Sequence, residues 1–255
     1  MEGWLNMTKP VFYTPDENPA IRVAVAILRK EGYIFEQTPS RWVTHLLLGV
    51  PAFREDGCLK NGMNFETILS ELKEKTVVVG GNLNTPSLSG RNTVDLLKDP
   101  MYLAKNAQIT AHCAVKVTLS QLPFTLTNCP ILIVGWGRIG KCLAALLRSM
   151  GAQVTVYARK DTDIAMLGAL GYDAKKLSSL AAHMCHYRVI FNTVPAPVIS
   201  EELLSICRDN CLKIDLASEK SLAGKDVLWA RGLPGKEAPE SSGALIAETI
   251  ARLVV

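Results

Sequence analysis

The chain has 255 residues, 48% hydrophobic, 20% charged and 6% aromatic, a globular composition with enough apolar surface for one or two cores. That excludes disordered, collagen-like and coiled-coil architectures, and at about 100–150 residues per domain it favours two domains. Net charge is +4, from 28 basic and 24 acidic residues without like-charge blocks, which gives no basis for nucleic-acid binding, and no apolar run reaches the roughly 18–20 residues of a membrane span.

The N-terminal MEGWLNMTKP lacks the basic-then-apolar pattern of a secretory leader, so a cytoplasmic protein is expected. Strands are expected at Pro10–Tyr13, Thr44–Leu48 and Thr76–Val79, with a helix from about Ala20 to Glu31, giving a small α/β domain over 1–103. From Met101 to Gln121 apolar residues recur at helical spacing (Leu103, Ala107, Ala111, Val115, Leu119), which predicts a connecting helix that Pro123 ends.

Beyond it the rhythm sharpens. The strand ILIV precedes a helix from about Ile139 to Met150, then QVTVYA, a helix over about Ile164–Leu170, RVIFNTV, LKIDLA and DVLWA. Strands alternating with helices imply βαβ units and a parallel sheet. The fold class is therefore α/β: two α/β domains, the second (104–239) a Rossmann-type doubly wound parallel sheet, with an interdomain helix and a C-terminal helix over 240–255 that crosses back. GLPGKEAP, from Gly232 to Pro239, is dense in Gly and Pro and is expected to be a rigid irregular loop before that last helix.

Directly after ILIV stands GWGRIG, with Gly135, Gly137 and Gly140 at the GxGxxG positions and Arg138 and Ile139 opening the helix. The first glycine permits the tight turn, the second lets the backbone approach a pyrophosphate, and the third lets helix and strand pack closely. The free N–H groups of the helix start then face the phosphates. An NAD site would place an acidic residue at the end of the second strand, but Ala158 stands there, followed by Arg159 and Lys160. A cationic pair suits the 2′-phosphate of NADP, so NADP is the expected cofactor; the alternative is a solvated strand end.

Further loops at strand ends supply Thr193 and Pro195, then Asp215, Ala217 and Ser218, with Gly232 and Pro234 beyond. All are expected beside the cofactor, Thr193 and Ser218 either as polar contacts or as helix caps, and Asp215 as a structural carboxylate. A cleft expected between the domains would draw substrate contacts from Asn82, Thr110 and His112 and from Ser218 and Gly235. His112, Thr193 and Ser218 are the candidate catalytic groups. His112 has the ring to act as general acid or base near neutrality; the alternative is a packed, hydrogen-bonded histidine.

Seven cysteines, an odd number in apolar contexts, read as reduced core thiols. His183, Cys185 and His186, and the pair Cys207 and Cys211, lack the second ligand set of a structural zinc site, so no metal is expected.

GWGRIG, the basic end of the second strand, FNTVP, IDLAS and GLPGKEAPESSGALIAETI together resemble the A subunit of bacterial dipicolinate synthase, from about Asn106 to the C-terminus, with VVVGGNLN as the best match before that. The resemblance implies two α/β domains built like those of 2-hydroxyacid dehydrogenases, NADP in the second, and oxidation of dihydrodipicolinate, or a related cyclic imino dicarboxylate, to dipicolinate in sporulation, alongside a B subunit. Assembly into a homo-oligomer stays open. Three positions depart from the pattern. NAQITAHCA places His112 and Cys113 where the family has Glu and Gly; Glu219, Lys220 and Ser221 replace Arg-Pro-Gly-Gly; TPDEN keeps only Asp16 of a Gly-Gly-Asp-x-Arg turn. These departures keep a second reading open, a divergent NADP(H)-binding paralogue with little or no turnover that serves as a subunit or sensor. A 2-hydroxyacid dehydrogenase would need an Arg, acid and His set that the chain does not display in suitable surroundings.

Overall fold

A computed structural model describes residues 9–54, 56–224 and 226–254; the leader reading of residues 1–8 lies outside them. The chain divides into two compact units, 1–106 with 234–255, and 107–233.

The first unit holds a five-stranded parallel sheet of β1 (Val11–Tyr13), β2 (Ile34–Glu36), β3 (His45–Leu47), β4 (Val77–Gly80) and β5 (Thr93–Asp95), in the order β2-β1-β3-β4-β5. Helix α1 (Pro19–Lys30) starts sharply because Asn18 accepts from the N–H of Ile21 at 3.0 Å and Pro19, which has no N–H to satisfy, takes the first helical position. Its buried side, Ala20, Ile21, Ala24 and Leu28, faces the core, and its last turn carries Arg29 and Lys30. A short helix α2 (Phe65–Ser70) buries Phe65, Ile68 and Leu69 against the core of Leu46, Leu48 and Val78.

Helix α3 (Pro100–Gln121) begins where Asp99 accepts from the N–H of Tyr102 at 2.7 Å, and runs across the division between the units at 106/107. It matches the expected connecting helix.

The second unit is a six-stranded parallel sheet of β6 (Pro130–Val134), β7 (Gln153–Ala158), β8 (Asp173–Lys176), β9 (Val189–Asn192), β10 (Leu212–Asp215) and β11 (Val227–Trp229), ordered β11-β10-β9-β6-β7-β8. Renumbered from β6, that is the 3-2-1-4-5-6 order of the doubly wound dinucleotide-binding fold. Between these strands lie α4 (Arg138–Ser149), α5 (Asp161–Ala169) and α6 (Glu201–Ser205), and a 3-10 stretch over Leu177–His186. The central strands are apolar throughout, as a sheet covered on both faces requires: Ile131 to Val134 and Val189 to Phe191 are wholly inaccessible.

Three readings are corrected. Strands β2, β5 and β8, each three or four residues at a sheet edge, carry too few apolar residues to stand out in sequence. Helix α5 starts at Asp161, three residues before the expected point, because Asp161 and Asp163 favour the positive end of a helix. Gly232–Pro239 is not an irregular loop. Leu233–Glu237 forms a short helix, α7, and Pro239 is the first residue of α8 (Pro239–Leu253). Proline needs no N–H partner in a first turn, so Pro234 and Pro239 are tolerated where a loop was expected.

Helix α8 lies in the first unit and packs along α1. The two backbones approach at Gly243, where an added Cβ would stand 2.5 Å from the Ala20 carbonyl oxygen and 2.6 Å from the Val23 Cβ. Arg252 of α8 pairs with Asp99, and Lys105 with Glu248. Because the Ala20 carbonyl cannot move without breaking α1, Gly243→Val is expected to lower unfolding free energy by about 1–3 kcal/mol in a denaturant titration, the usual cost of overpacking.

Candidate active site

At the carboxyl end of β6 the chain turns through Gly135, at φ +104°, and enters α4 at Gly137. A Cβ on Gly135 would lie 2.4 Å from the Thr193 Oγ1, and one on Gly140 would lie 2.3 Å from the Gly135 carbonyl oxygen. Both must be glycine for packing alone. Gly137 differs, since a Cβ there would meet nothing within 4 Å. Its φ of −79° is ordinary, so neither strain nor protein contact demands glycine. What Gly137 keeps clear is the approach to the α4 N-terminus, which no side chain caps. Exposed Arg138 and half-buried Ile139 complete that turn. An open, uncapped helix start behind a glycine is the cradle a pyrophosphate requires, so the fingerprint residues fit a dinucleotide.

Strands β6 and β9 are neighbours whose crossovers run to opposite sides, the switch point at which such sheets bind ligands. Thr193, just past β9, sits there. Its hydroxyl and its N–H both donate to the Val134 carbonyl, each at 2.9 Å. That fixes Thr193 as a brace beneath the fingerprint turn, while Ser200 takes the cap of α6 through the Leu203 N–H. Pro195 follows on the exposed rim.

The loops after β9 and β10 are tied by a buried polar knot. Asp215 and Asn192 are fully inaccessible. One Asp215 oxygen accepts from the Asn192 Nδ2 at 3.0 Å and the Ala217 N–H at 3.1 Å; the other accepts from the N–H groups of Ser221 at 2.8 Å and Leu222 at 3.0 Å. Ser221 accepts from the Asn192 Nδ2 at 2.7 Å and donates to the Val194 carbonyl at 2.9 Å, whose own N–H donates to the Asn192 Oδ1 at 3.2 Å. Asp215 thus holds the structural place expected of it, with four N–H donors offsetting the cost of burying a carboxyl group. Ser221 and Asn192 are the members sequence reasoning left without a role. Ser218 projects from the loop this knot anchors, and is exposed.

Beyond β7, Arg159 and Lys160 are exposed and follow buried Ala158, with Lys160 at the cap position of α5. On α3, Thr110 is buried and His112 exposed. Gly232, at φ +70°, ends the second unit's last loop, whereas Pro234 and Gly235 fall in the first unit with Asn82.

In that first unit the carboxyl end of the sheet has its own switch point, between β1 and β3. There the Asp16 Oδ2 lies 2.3 Å from where a Gly49 Cβ would stand, and Oδ1 accepts from the Asn18 N–H at 3.0 Å. Asn82 follows β4 in the left-handed region, at φ +59°, with its N–H and that of Leu83 donating to the two oxygens of Asp95 at 3.0 Å each. Asp95 escaped the sequence reading because its edge strand did.

None of the seven cysteines is in a disulfide, but Cys58 and Cys185 are exposed, which corrects the expectation that all lie in the core. Among the described residues no three His, Cys, Asp or Glu groups are arranged for a metal, and no helix is long and apolar enough to cross a membrane.

Residues 105–217 match the family described as D-isomer specific 2-hydroxyacid dehydrogenase, NAD binding domain. The chain is similar to the A subunit of dipicolinate synthase from Bacillus subtilis (strain 168), 22% identical with 86% of this chain and 80% of that protein covered. Its fold is similar to the crystal structures of the dipicolinate synthase A subunits from Bacillus halodurans (TM-score 0.85, 21% identity, 97% and 98% of the two chains) and from Bacillus subtilis (TM-score 0.81, 19% identity, 98% and 97%). The resemblance carried by the sequence motifs therefore holds, and the second unit is a nicotinamide-dinucleotide-binding domain.

The glycines separate folding from binding. Gly140→Ala is expected to lower the melting temperature, since its Cβ meets backbone. Gly137→Val is expected to cost about 1 kcal/mol of stability, as for a poor N-cap, while weakening NAD(P)H at least about tenfold in a calorimetric titration.

Proposed function

We propose that the chain is an NADP-dependent oxidoreductase of the kind found in the A subunits of dipicolinate synthase, oxidising dihydrodipicolinate or a related cyclic imino dicarboxylate to its aromatic product in sporulation. The observation that carries the reading is the conjunction of an open, uncapped α4 start behind Gly137 with a second strand that ends in Ala158, Arg159 and Lys160. The subunit designation of the similar proteins extends to this chain as a proposed B partner.

Gly135, Gly137 and the first N–H groups of α4 seat the pyrophosphate, and Arg159 and Lys160 hold the 2′-phosphate, where a guanidinium bonds two oxygens at once. A bound oxidised nicotinamide would supply the acceptor for a hydride from a ring carbon of the substrate. The chain's task is to present that ring and to take the accompanying proton. His112 is assigned the proton and Ser218 a hydrogen bond to the substrate; both side chains are exposed. Asn82, Thr110 and Gly235 are assigned substrate contacts, and Thr193, Pro195, Ala217, Gly232 and Pro234 cofactor contacts. Asn192, Asp215 and Ser221 hold the loops that carry Thr193 and Ser218.

A second reading is favoured by His112, Cys113, Glu219 and Lys220 standing at altered substrate-side positions. On that reading the protein binds NADP(H) with little turnover and serves as a subunit or sensor. Following NADPH formation with dihydrodipicolinate, with and without a co-purified partner, separates the two: turnover supports the oxidoreductase, and tight NADPH binding without turnover supports the sensor.

NADPH is expected to bind at least about tenfold more tightly than NADH, about 1.4 kcal/mol. Arg159→Ala should cost NADPH about 1.5–3 kcal/mol and leave NADH nearly unchanged, and equal wild-type affinities would remove the NADP assignment. His112→Ala should lower turnover about 10²–10⁴-fold with NADPH affinity unchanged. Normal turnover in the folded variant would assign the proton elsewhere.

A further inference from the structure

The parallel register of β7 and β8 sets Lys176 beside Ala158, so the last residue of the edge strand emerges next to Arg159. From there the Lys176 Nζ reaches the first residue of α5, lying 2.8 Å from the Asp161 Oδ1. The adjacent Lys175 turns the other way, toward Asp173 at 4.0 Å. Lys176 thus joins Arg159 and Lys160 at the carboxyl ends of β7 and β8, and it is paired with Asp161.

Asp161 is the feature that needs explaining. It lies one residue past Lys160, at the start of a helix that no side chain caps, where a 2′-phosphate held by Arg159 and Lys160 would come close. An unpaired carboxylate at that point repels a phosphate and is free to accept from a ribose hydroxyl, which is how NAD is preferred. Asp163 adds a second acid to the same turn. Meanwhile the Lys176–Asp161 pair is exposed on both sides, the kind of ion pair that contributes little to folding.

We propose that Lys176 is a specificity-determining residue: by neutralising Asp161 it makes the end of β7 accept a 2′-phosphate, and so sets the choice of NADP over NAD. The inference rests on the NADP reading above. Arg159 and Lys160 supply the attraction, and Lys176 removes the opposing charge. Neutralisation acts on the phosphate through Asp161, so it predicts coupling between the two residues, whereas a direct lysine–phosphate contact predicts none.

The test is calorimetric titration of the full chain with NADPH and NADH, as wild type and as Lys176→Ala, Asp161→Asn, the double variant and Arg159→Ala, with melting temperatures in parallel. Lys176→Ala is expected to weaken NADPH about tenfold, a change of about 1.4 kcal/mol. NADH should change less than about twofold and the melting temperature little, as for an exposed pair. Adding Asp161→Asn should return NADPH to within about threefold of wild type, a coupling that a merely structural pair would not show. If Lys176→Ala leaves the NADPH/NADH ratio unchanged while Arg159→Ala lowers it, Lys176 has no part in specificity and the NADP reading stands. If Lys176→Ala weakens NADPH but Asp161→Asn restores nothing, neutralisation is overturned. If the wild type does not prefer NADPH and Arg159→Ala changes nothing, the NADP reading falls and takes this inference with it.

Discussion

The second unit depends on one contact, Gly140 riding on the carbonyl oxygen of Gly135. The space left for a Cβ there ends 2.3 Å away on backbone, which no side-chain adjustment can relieve. That contact lets α4 start directly over the end of β6 and sets the N-terminal N–H groups facing outward behind Gly137. From below, Thr193 holds the same turn through two hydrogen bonds to the Val134 carbonyl. A helix start placed this way presents partial positive charge at a fixed point, and phosphate binding follows from placement rather than from any special side chain.

Next to that turn, the Asn192–Asp215–Ser221 knot performs a different task. Loops after parallel strands have no ladder partners, so their backbone groups must be satisfied by other means. Here one carboxyl group accepts three backbone N–H bonds from the loop that follows its own strand, and one amide bridges to the neighbouring loop. Because the members are buried, loss of any one strands its partners without water, which makes the network stiff as well as stable. The rigidity of both loops is thus concentrated in three side chains beneath the surface, leaving exposed positions such as Ser218 and Glu219 to vary without loosening the frame.

Legibility followed burial. Strands β6 and β9 stand out as apolar runs because both their faces are covered. Edge strands β2, β5 and β8 do not, since a strand such as DAKK, with half-exposed or exposed residues throughout, carries neither an apolar run nor a clean alternation. Missing β8 and β5 hid Lys176 and Asp95, which matter because of where their strands end. The fingerprint glycines were readable because each answers a local demand of the turn. Ser221 was not, because its role is defined by Asn192, 29 residues away in sequence, and no local pattern records that partnership. Gly232–Pro239 misled for the converse reason: prolines that break a helix interior are at home in its first turn, and composition alone does not distinguish the two positions.

These differences in mechanism account for which half of the resemblance is preserved. At 22% identity, a site made from backbone N–H groups keeps its chemistry so long as three glycines and the strand-to-helix geometry remain, and almost any residue can stand around them. A substrate site made from charged side chains has no such tolerance, because a dicarboxylate needs particular cations or donors at particular points. The positions that depart from the resemblance, His112 and Cys113 on α3, the TPDEN turn after β1, and Glu219 with Lys220 after β10, differ in their side chains, while Gly135, Gly137 and Gly140 remain. Binding that follows from backbone geometry thus tolerates change around its glycines, whereas in a site built from side chains a change of residue changes the ligand chemistry.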